Sequence, residues 1–333
     1  MKIGHFEHAS QVVLAPMAGV TDQPFRNLCR HNGTYWCVSE MLTSNKQLWH
    51  TRKSQSRLSF QTEAGPRWVQ IAGGDAVMLG EAASAAESLG ADILDINMGC
   101  PAKKVCNKAA GSALLKDVPL VRSIFGAVRR SVSIPVTVKI RLGWSLDEIN
   151  APLIARIAED EGLSVVTVHG RSRACKFAGS VHYDRIAEVV NSVDLPVIAN
   201  GDIQSPLQAQ QVLEQTGAAG VMVGRAAQGK PWLPAYIDDY LKTGLVKKNP
   251  PLGEIKLMLM THIGKLADFY GEVAGPRIAR KHVGWYLSDA FAANEQSVRL
   301  ALREFNQMET ETEQLQAIEV IIERLGSEGK LAA

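Results

Sequence analysis

The 333-residue sequence lacks several features that would assign it to a specialised class of protein. Its five cysteines are odd in number and include no Cys-x-x-Cys pair, which argues against a disulfide framework or a structural zinc site. No apolar run approaches the roughly 20 residues of a membrane span. Pro16 interrupts the first apolar stretch, which argues against a signal peptide. We therefore expect a cytoplasmic protein with no metal site and no membrane attachment.

An excess of charge of one sign is also missing. The 36 Lys and Arg residues oppose 34 Asp and Glu residues, which leaves a formal net charge of only +2. Hydrophobic residues make up 46% of the chain and charged residues 21%, which is typical of a folded globular protein. Any surface that binds nucleic acid must therefore be local. No obligate protein partner is evident from the sequence.

Short β-branched runs alternate with helix-like segments along the first 225 residues. The runs cover 12–15, 36–39, 68–71, 93–96, 136–139, 165–168, 197–200 and 221–223. Their nearly continuous apolar character is typical of parallel strands that are buried on both faces. The clearest helical segments are 76–89, 118–130, 147–161 and 206–215, and several end at a glycine. Eight such units in about 240 residues predict an α/β fold of the (β/α)₈ TIM-barrel type.

An open doubly wound sheet is the alternative architecture. It would require a glycine-rich turn after the first strand, and the sequence Ala-Pro-Met-Ala-Gly at 15–19 does not provide one.

The pattern changes after Tyr240. Residues 244–253 include the pair Pro250-Pro251 and indicate a linker, and the rest of the chain shows only helical periodicity. We predict a barrel domain over 1–243 and a small all-helical domain over 244–333. The helical region has a cluster of basic residues, comprising Arg277, Arg280, Lys281 and His282. This cluster could be a solvated helix face or a site for an anionic partner.

Nearly every apolar run contains, or is followed by, residues that a buried strand does not require, and most of these are polar residues or glycines. They include Pro16, Met17, Ala18, Ser39, Glu40, Gln70, Asn97, Gly99, Cys100, Lys139, Arg141, His169, Gly170, Arg171, Asn200, Gly201, Asp202, Gly224 and Arg225. In a barrel these positions meet at the C-terminal mouth, where barrel enzymes carry their active sites. Packing alone does not require a polar group at each strand end. The pattern therefore predicts a catalytic mouth.

Two of these clusters suggest an anionic ligand. Residues 200–202 and 224–225 combine glycine turns with a guanidinium, a pattern suited to a phosphate group. Lys139 interrupts an apolar strand, and a buried ammonium requires an anionic partner. That partner could be a reduced flavin, or the lysine could form a Schiff base. His169 could bind the same ligand or be a core histidine.

Cys100 differs from the other cysteines because Gly99 and Pro101 place it in a turn. The nearby Lys103, Lys104 and Lys108 could lower the pKa of its thiol. Cys100 is therefore a candidate nucleophile or proton donor, and the alternative is an inert cysteine.

Four segments together resemble the tRNA-dihydrouridine synthases, and most closely the bacterial B subgroup. They are 15–22 (APMAGVTD), 95–101 (DINMGCP), 168–173 (VHGRSR) and 198–203 (IANGDI), and the segments at 100–105 and 277–282 are similar as well. The likeness covers essentially the whole chain.

The resemblance implies an FMN-containing barrel with a helical tRNA-recognition domain. It implies reduction of a D-loop uridine, at position 17 for the B subgroup, with NADPH as reductant and Cys100 as general acid. By the same resemblance, FMN would contact Pro16, Met17, Ala18, Gln70, Lys139, His169, Asn200, Gly201, Asp202, Gly224 and Arg225. The tRNA would contact Asn97, Arg141, Lys103, Lys104, Arg171, Arg277, Arg280 and Lys281.

Two other functions fit part of this pattern. A flavin barrel that acts on free pyrimidines, of the dihydroorotate dehydrogenase type, would not need the basic helical region. A non-catalytic tRNA-binding protein would be colourless when purified.

Overall fold

The computed structural model describes residues 1–106 and 110–331. The chain divides into two compact units. The first unit comprises Met1–Arg225 and Trp232–Leu245, and the second comprises Ala226–Pro231 and the described residues from Val246 onward. The division after Leu245 lies inside the segment that the sequence indicates as a linker. The exact domain boundary at 243/244 stays a prediction.

The first unit is built around a parallel sheet. Its strands are β3 (Val12–Leu14), β4 (Trp36–Cys37), β5 (Leu42–Thr43), β6 (Trp68–Ala72), β7 (Ile93–Met98), β8 (Val136–Arg141), β9 (Val165–His169), β10 (Val197–Asn200) and β11 (Gly220–Val223), preceded by a hairpin of β1 (Lys2–Ile3) and β2 (Phe6–Glu7). The strand order is β4-β3-β11-β10-β9-β8-β7-β6-β5.

β4 and β5 stand at the two ends of this strand order, but together they fill a single position between β3 and β6, and this closes the barrel. β4 pairs with β3 on one side. The next residue, Val38, forms a parallel bridge to Trp68 of β6, and β5 then continues the pairing with β6. Counting β4 and β5 as one position gives eight parallel strands, so the predicted (β/α)₈ architecture is confirmed.

Helices follow the strands in alternation. They are α1 (Gln23–His31), α2 (Arg52–Leu58), α3 (Ala76–Ser88), α4 (Lys103–Cys106), α5 (Val118–Ser131), α6 (Ala151–Asp160), α7 (Tyr183–Val190), α8 (Pro206–Thr216) and α9 (Leu233–Thr243). Side chains of Asp75, Asp117 and Ser205 cap the N-termini of α3, α5 and α8. Gly217 ends α8 in the left-handed region, at φ 67°, as its position in the sequence predicts.

Apolar side chains fill the barrel near the starts of the strands. The cluster contains Ile3, Val13, Trp36, Trp68, Ile93, Val165, Ile198 and Met222, all buried. Ile3 comes from the β1–β2 hairpin, which the sequence analysis did not predict. The polar side chains are consequently left to the opposite ends of the strands.

The second unit is helical, as predicted. Its helices are α10 (Leu252–Tyr270), α11 (Ala274–Ala290), α12 (Glu295–Phe305) and α13 (Glu311–Leu331). Leu259, Val283, Phe305 and Leu325 are among the buried side chains that form its core. In residues 1–106 and 110–331, no helix has the length and apolar character needed to span a bilayer.

Candidate active site

Strand register places the key polar side chains on the inner face of the barrel. Asn97 pairs with Lys139, and Arg141 pairs with His169, which in turn pairs with Asn200. Paired residues of parallel strands lie on the same side of the sheet, and side chains along a strand alternate between its two faces. These five residues, contributed by four neighbouring strands, therefore share the barrel interior near the C-terminal strand ends.

Lys139 provides a cation at this end of the barrel. Its Nζ donates to Asn200 Oδ1 at 2.8 Å, and Asn200 Nδ2 donates to the Met222 carbonyl at 2.8 Å. Burial, followed by the charge of Arg141, lowers the pKa of Lys139 to about 8. The ammonium is thus charged at neutral pH but costly to keep so, and an anionic ligand beside it would reduce that cost.

His169 is a neutral group beside these cations. It is buried, and this burial, together with the charges of Lys139 and Arg141, lowers its pKa to about 2. A neutral imidazole can donate one hydrogen bond and accept another. His169 therefore suits recognition of a polar ligand edge and does not add to the positive charge.

Asp202 lies between two arginines where the chain turns after β10. Its carboxylate accepts hydrogen bonds from Arg171 and from Arg225 Nη2, and these bonds contribute to holding its pKa below the ordinary value. Asp202 itself has φ 47°, and the preceding Gly201 has φ 137°. The side chain of Asp202 thus positions two guanidinium groups, so any contact with a phosphate would fall to its main chain. That contact stays a prediction.

The turn after β3 faces Gly224 at the end of β11. A Cβ added at Gly224 would meet Ala15 Cβ and Met17 Sδ at 3.7 Å, which is ordinary contact. Packing within the protein therefore does not require a glycine at this position. The close approach of a ligand would require one. Pro16 and Met17 are partly exposed and Ala18 is exposed, so all three remain available to a ligand.

Cys100 has its main chain fixed on three sides. Its N–H donates to Asn97 Oδ1 at 3.1 Å, and its carbonyl accepts from the N–H and the hydroxyl of Ser112 at 3.1 and 2.9 Å. The preceding carbonyl, of Gly99, accepts from Arg141 Nε at 2.8 Å. These bonds hold a partly exposed thiol at the C-terminal end of β7.

The expectation of a lowered pKa for the Cys100 thiol is wrong. Burial raises its pKa, and a backbone hydrogen bond from Ala102 and the charge of Arg141 only partly oppose that effect. The thiol is therefore protonated at neutral pH, which suits a proton donor better than a nucleophile. The side chains of Lys103 and Lys104, and Lys108 as a whole, lie outside what the structure describes.

Arg141 and Arg171 hold the loop that follows β9. Arg141 Nη1 donates to the carbonyls of Ser172 and Lys176, and Arg171 donates to that of Gly179. Both guanidinium-bearing residues are buried, at 1% and 2% exposure. In the structure the two arginines bind carbonyl groups of this loop. Their predicted contacts with the substrate stay predictions.

Several residues at the mouth were missed by the sequence analysis. Phe177 is 54% exposed, and its ring lies 5.3 Å from Arg141 Cζ and 5.2 Å from Arg225 Cζ. Ser112 donates a hydrogen bond to the Cys100 carbonyl, and Asp95 accepts one from Gln70. The sequence pattern could have identified Asp95, because it is a carboxylate inside an apolar strand. No sequence feature distinguishes Phe177 or Ser112.

The basic cluster of the second unit lies on α11. Arg277 is exposed, and Lys281, one helical turn later, is partly buried. Arg280 Nη2 donates to the Met308 carbonyl at 3.2 Å, so this side chain also ties α11 to the segment before α13. Binding of tRNA by Arg277, Arg280 and Lys281 stays a prediction.

Comparison with known proteins decides the family. The model of the dihydrouridine synthase (Dus) family matches residues 13–325. The chain belongs to the dihydrouridine synthase family. This confirms the resemblance drawn from its motifs, and it makes the protein an oxidoreductase.

Curated members of the dihydrouridine synthase family cover nearly the whole chain. The tRNA-dihydrouridine synthase B of Pseudomonas aeruginosa is 53% identical over 295 residues, 89% of each chain. The tRNA-dihydrouridine synthase B of Yersinia pestis is 50% identical over 325 residues, 98% of this chain and 100% of its own. That of Vibrio vulnificus is 47% identical over 327 residues, again 98% and 100%. The similarity therefore includes both compact units.

Proposed function

We propose that the protein is a tRNA-dihydrouridine synthase that reduces the C5–C6 double bond of the uridine at position 17 of the tRNA D-loop, with NADPH as reductant and FMN as cofactor. Relatives named tRNA-dihydrouridine synthase B support the reaction. The observation that carries the proposal is the convergence of Lys139, His169 and Asn200 on the barrel interior, at the end where Cys100 is held.

The residues present fit FMN. A cationic Lys139 beside a neutral His169 suits an electron-rich ring, and Gly224 leaves room for close approach. Gln70 already bonds to Asp95 and Asn97, but an amide keeps a second N–H and a second lone pair for a ligand. The ring would contact Pro16, Met17, Ala18, Gln70, Lys139 and His169, and the phosphate Asn200, Gly201, Asp202, Gly224 and Arg225. When bound, FMN supplies the hydride, received from NADPH, that reduces the uracil ring.

Cys100 would supply the proton. Because burial raises the pKa of its thiol, Cys100 retains a proton at neutral pH that it can transfer to uracil C5. The bonds from Asn97 and Ser112 to its main chain fix where that thiol lies. Lys139, charged at neutral pH, would stabilise negative charge that develops during the reaction.

The substrate must present one base to the barrel. A D-loop uridine would leave its stack at a cost of about a few kcal/mol. Asn97, Arg141 and Arg171 would act around the uracil, the arginines in part by holding the loops described above. Arg277, Arg280, Lys281, Lys103 and Lys104 would bind phosphates of the tRNA backbone. We propose the cytoplasm as the location, since tRNA is modified there in bacteria.

Three measurements test this function. An absorption scan of the purified protein should show a bound flavin, and a colourless protein would favour the non-catalytic tRNA-binding alternative. Incubation with unmodified tRNA and NADPH should then yield dihydrouridine, mapped by nucleotide to position 17. Reduction of free pyrimidines without tRNA would instead indicate an enzyme of the dihydroorotate dehydrogenase type.

A further inference from the structure

A chain of hydrogen bonds inside the barrel connects a buried carboxylate to the main chain of Cys100. Asp95, on β7, is 2% exposed, and its Oδ2 accepts from Gln70 Nε2 at 2.6 Å. Gln70 Oε1 accepts from Asn97 Nδ2 at 2.8 Å, and Asn97 Oδ1 accepts from the Cys100 N–H at 3.1 Å. Two side-chain amides thus separate Asp95 from the residue that carries the thiol.

The direction of this chain is set by chemistry. Each amide has a donating nitrogen at one end and an accepting oxygen at the other. An ionised carboxylate only accepts, so Asp95 requires Gln70 to present its nitrogen. The oxygen of Gln70 then faces Asn97, which in turn must present its nitrogen to Gln70 and its oxygen to the main chain of Cys100. The orientation of both amides therefore follows from Asp95.

Asp95 is itself fixed from the opposite side. Its Oδ1 accepts from the Thr137 hydroxyl at 2.7 Å, and that hydroxyl accepts from Trp68 Nε1 at 3.0 Å. Trp68 is 1% exposed and Thr137 is fully buried. The carboxylate consequently has neighbours on two adjacent strands that hold it in one orientation.

We propose that Asp95 is a positioning residue that acts through Gln70 and Asn97 to hold the Cys100 main chain where the thiol can reach the substrate. The proton-transfer role of Cys100 rests on the proposed function. What Asp95 must supply is an acceptor oxygen for Gln70. An asparagine supplies it too, because its nitrogen can donate to Thr137, whose hydroxyl already lies 3.1 Å from the Leu94 carbonyl.

The test compares two substitutions of nearly equal size, Asp95→Leu and Asp95→Asn, in the full-length protein at pH 7. Hydrogen–deuterium exchange is measured on peptides within 97–106, and steady-state kinetics are measured on unmodified tRNA. In Asp95→Leu we expect exchange at the Cys100 amide to quicken and kcat to fall, each by about tenfold or more, with KM for tRNA nearly unchanged. Asp95→Asn should keep both the protection and most of kcat.

Thr167→Val is the matched control. Thr167 is also buried on the inner face, and its hydroxyl has no hydrogen-bond partner in the described part of the chain. Its replacement should leave exchange at Cys100 and kcat unchanged. An unchanged rate of exchange at the Cys100 amide in Asp95→Leu would overturn the proposal. Equally fast exchange in Asp95→Asn and Asp95→Leu would overturn it as well.

A second substitution covers the case in which Asp95→Leu does not fold. Gln70→Met breaks the chain one step later, so it should also quicken exchange at Cys100, and unchanged exchange there would contradict the proposal. Exchange is measured without substrate. A wild-type protein that forms no dihydrouridine would therefore refute the proposed function, while the positioning of Cys100 could still be judged from exchange.

Discussion

The carboxylate of Asp95 should lower the stability of the protein at neutral pH. Burial raises its pKa from the ordinary 3.8 to about 6, although Gln70 and Thr137 donate hydrogen bonds to it. The folded state thus binds this proton more tightly than the unfolded state, and stability falls as pH rises from about 4 to about 6. At about 1.4 kcal/mol for each factor of ten in proton affinity, the loss at pH 8 is about 3 kcal/mol.

Asp95→Asn removes this titration. Its free energy of unfolding at pH 8 should exceed that of the wild type by about 2 to 3 kcal/mol, and the difference should shrink toward pH 4. Urea denaturation monitored by tryptophan fluorescence, repeated from pH 4 to pH 8, measures this difference.

Asp92→Asn is a matched control with the opposite sign. Asp92 accepts hydrogen bonds from Arg67, and these bonds hold its pKa below the ordinary value. The stability that Asp92 contributes is present above its unfolded pKa, so its removal should lower stability at pH 8. If Asp95→Asn left the stability at pH 8 unchanged, or lowered it as Asp92→Asn should, the reasoning from burial would be wrong.

Three further predictions concern the reaction and the tRNA. Cys100→Ala should remain yellow and oxidise NADPH, yet lose about 10²- to 10⁴-fold in dihydrouridine formation; near-normal formation would exclude Cys100 as the acid. Lys139→Ala should slow NADPH oxidation in stopped-flow absorbance, because the cation beside Asn200 is gone; an unchanged rate would count against its role. Arg277→Gln, at an exposed position, should reduce the salt dependence of tRNA affinity by about one phosphate contact, and an unaffected slope would place the tRNA elsewhere.

The barrel could be predicted because its strands carry a strong local pattern. Each of the eight apolar runs overlaps a strand, and glycine stops such as Gly217 mark helix ends as expected. The β1–β2 hairpin was missed because strands of two residues carry no periodicity. The start of α6 at Ala151, four residues later than predicted, follows from the Gly143–Ile149 bridge, a pairing that local sequence does not reveal.

The site was predictable in position but less so in chemistry. Parallel strands end at the same edge of a sheet, so the sequence alone groups Lys139, His169 and Asn200. The pKa of Cys100 was predicted with the wrong sign because burial depends on how distant segments pack. The link from Asp95 to Cys100 likewise depends on strand register, which aligns Gln70 with Asp95.

Gly201, in the turn after β10, affects how variants of that turn should be interpreted. A Cβ at this position would lie 2.8 Å from Val181 Cγ1 and 3.2 Å from His169 Cδ2. Gly201→Ala would strain a backbone held at φ 137° and would press on Val181 and on the imidazole of His169, so a loss of flavin from this variant would not by itself indicate a lost phosphate contact. Gly224→Ala, where the added methyl group meets only ordinary contacts at 3.7 Å, would report on crowding of the ligand itself. Flavin retention measured in both variants would distinguish distortion of the protein around the site from direct steric exclusion of the cofactor.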